Sequence, residues 1–571
     1  LQVDRFDRLF WKRLWNLARP YWSSGQRRRA LILLAVVIGL NLGVIGMNAV
    51  FSYVSRDVMN ALQAKNAARF YHLLILFAGW IALFVPIAAF YPYLSGLLSI
   101  EWRDWMTEGF VRLSLDNHAL YHIMSEHSID NPDQRISEDI NSFTTGALKY
   151  SMTVLGSITT AATFFGILWS ISPLLAGCLI AYAALGTWLA IVIGRRLIVI
   201  NFNQQRFEAD YRFALVHARD NAEAIALYGG AVDEARQLRG RFAWVVRNFK
   251  LLILWQRHLT FYTSAYDNAA GLVPYFVLAG AYFAGRFKLG EFTQAAFAFS
   301  MLQSALSLII DQFQGLTDYA SVVNRLAYFK ERCDAAGAPE PDGQPRIEVV
   351  EGPRFAFENL TLMTPDHSRT LQTAFSLQLD RDRALLITGP SGAGKTSLMR
   401  AVAGLWSSGS GRIVRPPLDE IMFLPQRPYM ILGSLRDQLC YPNGGALTDS
   451  ALLAALREVN LGELPARFNG LDADMNWADV LSIGEQQRLA FARLLLNLPR
   501  YAFLDEATSA LDIPNEELLY TRLRQTGISF ISIGHRPSLR KFHDQVAQLA
   551  PAQGIAELHA ANYNPAAGGG E

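Results

Sequence analysis

Cysteine and charge are both scarce in this chain. Only three cysteines, Cys178, Cys333 and Cys440, occur among its 571 residues, and they lie far apart. That spacing lacks the paired motifs of a zinc site and argues against a disulfide framework. Charged residues make up 18% of the chain against 51% hydrophobic residues, and the net charge is only +2. A near-neutral chain offers no global field for nucleic acid, and so much apolar surface favours a membrane protein with more than one domain.

Long apolar runs lie only in the first part of the chain. Each is close to the ~20 residues that a helix needs to cross the hydrocarbon core of a bilayer. The predicted spans are 30–51, 73–94, 152–172, 174–194, 265–285 and 292–313. The polar stretches 95–151 and 195–264 are too long for turns and are predicted to continue the helices beyond the membrane. The sequence therefore predicts an all-α transmembrane domain of six helices over residues 30–333.

The segments that flank this domain have their own composition. Residues 1–29 are basic, with apolar and aromatic residues interleaved, which predicts an amphipathic helix in the membrane interface on the cytoplasmic side. Residues 334–350 contain Ala, Gly and Pro in a run that cannot pack, and they are predicted to be a linker. Six crossings then return residues 351–558 to the cytoplasmic side. Residues 559–571 are predicted to form a flexible tail.

A glycine-rich motif opens the chemistry of residues 351–558. The sequence Gly-Pro-Ser-Gly-Ala-Gly-Lys-Thr directly follows a short apolar run that ends at Thr388, which is the Walker A pattern. Its glycines let the backbone wrap a phosphate, the amides of the following helix point at it, and Lys395 adds a positive charge. The predicted ATP-binding residues are Gly389, Pro390, Ser391, Gly392, Ala393, Gly394, Lys395, Thr396 and Ser397.

Four later motifs follow in a fixed order. Gln426 ends an apolar run, and residues 481–488 read Leu-Ser-Ile-Gly-Glu-Gln-Gln-Arg, a small polar turn that opens a helix able to face an anion. Residues 501–506 form an apolar strand that ends in two acids. Of these, Asp505 can orient hydrated magnesium and Glu506 can polarise the water that attacks the terminal phosphate. His535 follows a further predicted strand.

These five ordered motifs resemble the ABC transporter family over residues 355–550. The resemblance implies an α/β P-loop nucleotide-binding domain after an ABC exporter-type membrane domain, with ATP and Mg²⁺ as cofactors. It implies catalytic roles for Glu506, for His535 as the switch histidine and for Gln426 in the Q-loop, and magnesium ligation by Thr396, Gln426 and Asp505. Gln426 would join magnesium chemistry to the membrane domain. The resemblance also implies a D-loop at Ser509 and Asp512, and a signature that faces ATP in trans, formed by Leu481, Ser482, Ile483, Gly484 and Glu485.

One copy of each motif has a consequence for assembly. Because the ATP site of this family closes between two domains, a chain with one membrane domain and one ATPase domain resembles a half-transporter that works as a homodimer in the lipid bilayer. Two departures from the common pattern stand out. Ile483 and Glu485 replace the Gly and Gln of the usual signature. Thr364 stands where many exporters stack an aromatic residue on adenine, which leaves two alternatives: a looser nucleotide preference, or an apolar residue such as Leu362 that packs on the base.

The subfamily is indicated by finer details. The segments LLITGP, PQRPYM, GSLRDQ and GHRPSL resemble the peroxisomal fatty-acyl transporter group, and segments around Asn131 and Glu223 resemble that group and the bacterial SbmA/BacA-like transporters. The bacterial resemblance implies an inner-membrane protein that takes up peptides or bulky hydrophilic compounds. The alternatives are an acyl-CoA or lipid transporter, an exporter of the same architecture, and a membrane-anchored regulatory ATPase without cargo. Cargo, direction and proton coupling stay open.

Two sets of polar residues in the membrane half are candidate functional groups. Asn131, Asp133, Glu138 and Glu223 are predicted to couple the membrane domain to the ATPase, with helix capping as the alternative for the first two. Asp267 and Asp311 are predicted to line a cavity, because a carboxylate is costly in lipid. An interfacial position near the span ends is the alternative for this pair.

Overall fold

The structure is a computed structural model that describes residues 7–125, 129, 131–336, 345–445, 447–550 and 554–560. The chain divides into two compact units, Leu1–Ala338 and Pro339–Glu571. The beginning of the predicted interfacial segment, the middle of the predicted linker and most of the predicted tail lie outside the described residues.

The first unit is helical throughout its described residues. A single turn with wider, π-type spacing at Arg135–Asp139 separates α5 from α6. The helices are α1 Arg8–Trp22, α2 Arg27–Gln63, α3 Ala67–Leu115, α4 Ala119–Ser125, α5 Pro132–Gln134, α6 Ile140–Ile171, α7 Pro173–Asp220, α8 Ala222–Tyr228, α9 Ala231–Phe283, α10 Leu289–Leu306 and α11 Leu308–Ala336.

The long helices extend well past what a membrane crossing requires. α9 has 53 residues, about 80 Å at the rise of an α-helix, against a hydrocarbon core of about 30 Å. The tight turn between α6 and α7 has a local cause, since the Ser172 hydroxyl accepts a bond from Leu175 N at 3.3 Å and Pro173 fills the first helical position. The polar stretches of the sequence thus mostly prolong helices rather than form loops.

The predicted count of six crossings is not confirmed by the helices of the described residues. Within the described residues, three segments are long and apolar enough to cross a membrane, Arg27–Gln63, Ala67–Ser125 and Pro132–Ile171, and Pro173–Leu189 is a shorter apolar helix. The sixth predicted span is divided, because α10 ends at Leu306 and α11 begins at Leu308 after a turn at Ser307. The six predicted spans fall on α2, α3, α6, α7, α9 and, for the last one, on α10 and α11 together, but six crossings are not confirmed.

The first helix packs one face on the bundle and leaves the other exposed. Phe10, Leu17 and Tyr21 are buried, and the Tyr21 ring stacks on Trp102 of α3 with centroids 5.5 Å apart. Trp11 and Trp15 are 58% and 63% exposed on the remaining surface. This arrangement agrees with the amphipathic pattern of the sequence, whereas a position in the membrane interface stays a prediction.

The second unit is an α/β domain with two main sheets. The six-stranded sheet has the order β12-β11-β4-β10-β9-β6, parallel except for β12, and the four-stranded sheet has the order β1-β5-β2-β3. The strands are β1 Glu348–Glu351, β2 Phe355–Met363, β3 Thr370–Leu379, β4 Ala384–Thr388, β5 Gly409–Arg415, β6 Ile421–Leu424, β7 Gly433–Ser434, β8 Asp474–Met475, β9 Tyr501–Asp505, β10 Ser529–Ile533, β11 Gln545–Ala550 and β12 Gly554–Ala560. The helices are α12 Lys395–Val402, α13 Leu435–Cys440, α14 Asp449–Glu458, α15 Leu464–Arg467, α16 Trp477–Val480, α17 Ile483–Asn497 and α18 Ile513–Gln525.

The central strands of the larger sheet form the core of this unit. β9 and β10 are buried along their whole length, which explains why their sequences are nearly continuous apolar runs instead of alternating ones. Because β4, β9 and β10 are parallel neighbours, their carboxyl ends lie along one edge of the sheet. Ligands of open α/β sheets bind at such an edge.

Candidate ATP-hydrolysis site

The predicted motifs meet where β4, β9 and β10 end. The Walker A loop follows β4, Asp505 is the last residue of β9, and His535 comes two residues after the end of β10. Residues more than 100 positions apart are thereby joined, as shown by the bond of 2.9 Å from Thr396 Oγ1 to Asp505 Oδ2. The fold therefore brings the predicted catalytic and magnesium-binding groups to one place.

The glycines of the Walker A loop are required by the backbone and by crowding. Gly392 and Gly394 have φ of +80° and +82°, the left-handed region that favours glycine. A Cβ on Gly389 would lie 2.5 Å from Leu549 O, closer than non-bonded atoms approach. The loop is thus a close-fitting backbone turn that leads into α12, whose first-turn amides face the space in front of the loop.

Lys395 folds back over its own loop. Its Nζ donates to Gly389 O at 2.8 Å and to Pro390 O at 2.9 Å, and the residue is 8% exposed. Burial lowers the pKa of Lys395, while the nearby carboxylates of Glu506 and Asp505 act in the opposite direction. A phosphate group in the loop would give this amine the anionic partner that the two carbonyls only partly replace.

Asp505 is the buried acid of the site, 5% exposed. Burial raises its pKa, with Glu506 acting in the same direction and the bond from Thr396 opposing it. A carboxylate next to a threonine hydroxyl is the oxygen-rich pair that Mg²⁺ prefers when it keeps most of its water ligands. The residues present therefore fit magnesium.

Glu506 stands apart from Asp505 in both position and backbone. Its φ is +46°, an unusual value for a residue with a side chain and one that costs about 1–3 kcal/mol. The carboxylate accepts a bond from Gln426 Nε2 at 2.9 Å and lies 3.7 Å from His535 Nε2. The strained backbone directs Glu506 to the two other predicted catalytic side chains.

The signature motif has a defined local structure. Ser482 caps α17 and accepts a bond from Glu485 N at 3.3 Å, and Glu485 Oε2 accepts one from Ser482 N at 2.9 Å. Arg467 pairs with Glu485, and the pKa of Glu485 is lowered because this ion pair and the Ser482 bonds outweigh its partial burial. The acid that replaces the usual glutamine is thus neutralised by a cation from α15.

Ile483 and Gly484, in the middle of the signature, differ in the space available for a side chain. A Cβ on Gly484 would lie 3.2 Å from Ala510 O of the D-loop, so this glycine allows a close approach of the two backbones. Ile483 is 52% exposed and replaces a glycine without crowding. Leu481 is buried, which anchors the motif in the core of the domain.

The D-loop is tied to both neighbouring loops. Gln487 Nε2 donates to Ser509 Oγ at 3.2 Å and to Gln426 O at 3.1 Å, and its Oε1 accepts from Ala510 N at 3.0 Å. Asp512 caps α18 by accepting a bond from Asn515 N at 3.1 Å. One buried glutamine therefore connects the Q-loop with the D-loop.

The proposed substitute for adenine stacking is wrong. Leu362 is part of β2, and its side chain is fully buried in the core of the domain, so it cannot contact a nucleotide base. Strand alternation explains the outcome, because Leu360 and Leu362 both point inward. Thr364 lies in a turn closed by a bond of 2.9 Å from its amide to Arg369 O.

The coupling candidates lie on exposed surfaces of the membrane unit. The Asn131 side chain makes no capping bond to α5, and Asp133 lies in the first turn of that helix, so the capping alternative is not supported for Asn131. Glu138 accepts a bond from Gln134 at 3.0 Å, and Glu223 is exposed in the first turn of α8. Their coupling role stays a prediction.

A buried acid beside these candidates was not selected from the sequence. Asp139 is 3% exposed and pairs with Arg135 at 3.1 Å and with Arg325 of α11 at 2.6 Å. The π-type turn that ends at Asp139 directs it inward, and irregular turns of this kind often occur at functional sites. The sequence does show that Arg135 and Asp139 are four residues apart and can pair on one helix face. It gives no sign of the second partner, Arg325, which lies 186 residues further along the chain.

Of the two predicted cavity residues, Asp267 can be described. Its Oδ1 accepts a bond from Gln303 Nε2 at 3.2 Å, and the residue is exposed at the surface of α9. No Lys or Arg pairs with Asp267 among the described residues. The side chain of Asp311 lies outside the described residues.

The fold and the site together define a class, a P-loop ATPase domain attached to a helical membrane domain. The sequence matches the family described as ABC transporter transmembrane region 2 over residues 17–283 and the ABC transporter family over residues 373–509. An uncharacterised ABC transporter ATP-binding protein of Synechocystis sp. is 45% identical, with 92% of this chain and 81% of that protein aligned.

Further relatives come from plants and animals. The chloroplastic ABC transporter D family member 2 of Arabidopsis thaliana is 38% identical over 95% of this chain and 86% of its own, and the human protein named lysosomal cobalamin transporter ABCD4 is 31% identical over 95% of each. A bacterial Atm1-family ABC exporter with ATP bound has a similar fold, with a TM-score of 0.75 at 18% identity over 94% of this chain and 96% of its own.

The chain belongs to the ABC transporter family. It is a half-transporter related to the D-family members, with a transmembrane region fused to an ABC ATPase domain, so ATP hydrolysis coupled to transport is its activity. The predicted fold class is confirmed. None of the relatives named here is an SbmA or BacA protein, and the assignment to that group is not confirmed.

Proposed function

We propose that this chain forms a homodimer in a bacterial inner membrane and uses ATP to move a bulky hydrophilic compound. The observation that carries the proposal is the meeting of Lys395, Asp505, Glu506 and His535 at the carboxyl ends of three adjacent strands. Such a set holds a triphosphate on one side and a water molecule on the other.

Each group has a role in hydrolysis that its contacts support. Lys395 exchanges the carbonyls of Gly389 and Pro390 for the outer phosphates, which places a partly desolvated cation on developing negative charge. Glu506 accepts a proton from the attacking water as general base, oriented by the amide of Gln426. His535 donates from Nε2 toward the terminal phosphate from its position beside Glu506.

Magnesium would be held by Thr396 and Asp505 directly or through water, with the side-chain amide oxygen of Gln426 as a further ligand. The bound ion would neutralise charge between the outer phosphates. The 2.9 Å bond between Thr396 and Asp505 supports this assignment, since it already places two oxygen ligands together. This chain contributes one Walker A loop and one signature, and the second copy would contribute the Ser482 turn that closes the site.

A pathway for cargo is supported by the position of Asp267. It lies sixteen residues before the end of α9 at Phe283, about 24 Å along the helix, which is inside a hydrocarbon core of about 30 Å if Phe283 marks the outer boundary. Gln303 lies fourteen residues after the start of α10, about 21 Å deep by the same measure. A carboxylate at this depth is costly in lipid, so we infer that Asp267 faces a water-filled pathway and that the buried Gln303 amide supports it from the protein side.

The chemical class of the cargo is proposed from two sources. Carboxylate, amide and tyrosine groups near α9 suit a polar solute more than an acyl chain, and two relatives carry the name lysosomal cobalamin transporter. Cobalamin is therefore the first cargo to test. The peptides implied by the sequence resemblance and the acyl-CoA of the alternative hypothesis are the comparison cargoes.

Proteoliposomes test the proposal. The purified chain is reconstituted, its orientation is measured by protease accessibility, and uptake of radiolabelled cobalamin, a labelled peptide and a fluorescent acyl-CoA is followed with ATP and with Glu506→Gln as the inactive control. ATP-dependent flux of cobalamin that the variant lacks supports the proposal, and the side of ATP addition gives the direction. Flux of acyl-CoA alone would contradict a hydrophilic cargo and support the acyl-CoA transporter. ATP hydrolysis without flux of any of the three compounds would support the regulatory ATPase without cargo.

A further inference from the structure

We infer that Arg536, anchored by the buried Glu516, is a positioning residue that joins the D-loop to the loop of His535. Arg536 directly follows the predicted switch histidine. Its Nη1 donates to Leu511 O at 2.8 Å and its Nη2 donates to Ser509 O at 2.8 Å. The guanidinium thus spans the backbone of the D-loop with two bonds.

The carboxylate of Glu516 holds the guanidinium of Arg536 in place. Glu516 lies in α18, is 0% exposed, and its Oε2 accepts from Arg536 Nη1 at 3.2 Å. The same carboxylate accepts from Thr508 Oγ1 at 2.9 Å and from Ser538 Oγ at 2.6 Å. A buried carboxylate persists only when it is paired and hydrogen-bonded, and these three donors meet that condition.

The three donors come from both sides of the hydrolysis site. Thr508 lies two residues after Glu506, and Ser538 lies three residues after His535. Glu516 therefore holds the chain that leaves the general base and the chain that leaves the histidine in one network. Movement of the D-loop would change the position of His535 through Arg536, and the reverse also holds.

The opposite side of the D-loop is held by Gln487, which also bonds to the backbone of the Q-loop. The D-loop is consequently fixed between Arg536 and Gln487, and its position relative to Glu506 depends on both. If the D-loops of two copies meet in the dimer, this network would let closure at one ATP site be sensed at the histidine of the same domain. The inference rests on the proposed roles of Glu506 and His535.

Arginine chemistry gives the experiment its sharpest variant. Only a planar guanidinium reaches two carbonyls and a carboxylate at once, whereas a lysine ammonium keeps the charge but not the fork. Arg536→Lys therefore retains the ion pair with Glu516 and loses the bridge across the D-loop. Glu516→Gln is the second variant, since its amide oxygen can still accept from Thr508 and its amide nitrogen can donate to Ser538 Oγ, while the charge that orients Arg536 is removed.

Arg524 supplies a matched control. It donates to Phe542 O at 2.7 Å and pairs with Asp544 at 2.9 Å, and its side chain is 11% exposed, but it lies outside the loops of the site. Arg524→Lys tests what the loss of a buried arginine fork does to the domain in general. We expect it to lower the melting temperature and to leave ATP hydrolysis unchanged.

The full-length homodimer in lipid nanodiscs is assayed for ATP hydrolysis, melting temperature and amide hydrogen exchange. We expect Arg536→Lys and Glu516→Gln to lower kcat about tenfold or more while the KM for ATP changes less than about twofold, because nucleotide contacts are retained. Exchange should increase at residues 508–512 in both variants.

Other results overturn the inference. If Arg536→Lys and Glu516→Gln only lower the melting temperature and keep kcat near the wild-type value, the network is purely structural. If Arg524→Lys lowers kcat as much as they do, the effect is not specific to the D-loop. Retained hydrolysis in Glu506→Gln or His535→Ala contradicts the proposed site itself, which is a separate failure from a normal kcat in Arg536→Lys.

Discussion

Gln426 Nε2 donates to Glu506 Oε2 at 2.9 Å, so the predicted general base is held by the residue that the family resemblance places between the ATP site and the membrane domain. This bond occupies one carboxylate oxygen, while the other lies 3.7 Å from His535. The bond uses the amide nitrogen of Gln426, which leaves its amide oxygen as the atom for the predicted magnesium ligation. Gln426 is therefore expected to orient Glu506 and to contact the magnesium ion at the same time.

Glu506→Gln should stop hydrolysis without preventing nucleotide binding. The amide has the shape of the carboxylate but cannot accept the proton of the attacking water, and loss of a general base costs about 10²- to 10⁴-fold in rate. Phosphate release measures the loss, and equilibrium binding of labelled ATP measures the retained affinity. Glu517→Gln, an exposed acid paired with Lys541 at 2.6 Å, is the control. Hydrolysis near the wild-type rate in Glu506→Gln would rule out the assigned base.

Removal of Arg467 should weaken the signature, because it leaves the charge of Glu485 without its cation where a phosphate of the partner copy is expected. Arg467→Ala should raise the KM for ATP several-fold, and kcat should also fall. The double variant Arg467→Ala with Glu485→Gln should recover most of the loss, since the neutral amide needs no cation. Steady-state hydrolysis measures all three proteins.

The recovery is the discriminating result. If Arg467 acts only through packing on Phe468, over whose ring its guanidinium lies at 5.2 Å, the second substitution brings no improvement. Glu485→Gln alone should be close to wild type, because it restores the residue of the common signature and keeps the bond to Ser482. A strong loss in that single variant would show that the carboxylate itself is needed.

The sequence predicted the parts of the site that local geometry dictates. Gly392, Gly394 and Lys395 could be assigned because a phosphate loop requires positive φ and a cation at fixed spacing. Arg536 and Glu516 could not be assigned, because Glu516 lies in α18 and Arg536 lies in the loop after β10, and only the folded domain brings the two side chains together. The burial of Leu362 could have been anticipated from the alternation in β2, whereas the break at Ser307 had no clear signal.

Gly186 in α7 should not accept a side chain. A Cβ there would lie 2.2 Å from the Tyr266 ring, which packs directly over this glycine. Gly186→Ala should destabilise the membrane unit by about 1–3 kcal/mol through overpacking. Thermal unfolding of the purified transporter in detergent measures the shift.

Gly177 is the control on the same helix, because no atom lies within 4 Å of a Cβ added there. Gly177→Ala should be neutral or slightly stabilising, as alanine favours helix over glycine. Replacing Tyr266 by Leu in the Gly186→Ala background should restore stability. Equal melting temperatures for the two alanine variants would contradict the close packing of α7 on α9.

His543 should make the ATPase unit sensitive to acid. It is fully buried, its Nδ1 donates to Leu539 O at 2.7 Å and its Nε2 accepts from Ser532 Oγ at 2.9 Å, and burial lowers its pKa from 6.5 to about 4. Between these values the unfolded chain binds a proton that the folded chain does not. Stability therefore falls as the pH drops from 6.5 toward 4, by up to about 3 kcal/mol.

The pH dependence of unfolding in nanodiscs tests this assignment. His543→Gln should flatten the loss of stability between pH 7 and pH 5, whatever its effect at neutral pH. Parallel curves for wild type and His543→Gln would mean that another group titrates in this range.

The left-handed backbone at Glu506 sets evolutionary and engineering limits on this ATPase. A residue with φ of +46° is tolerated there only because the surrounding strands and the bond from Glu506 N to Ile533 O at 2.9 Å enforce it. Glycine at this position would relieve the strain and yield a more stable but inactive protein. Selection for stability alone would therefore favour loss of the catalytic carboxylate at this position.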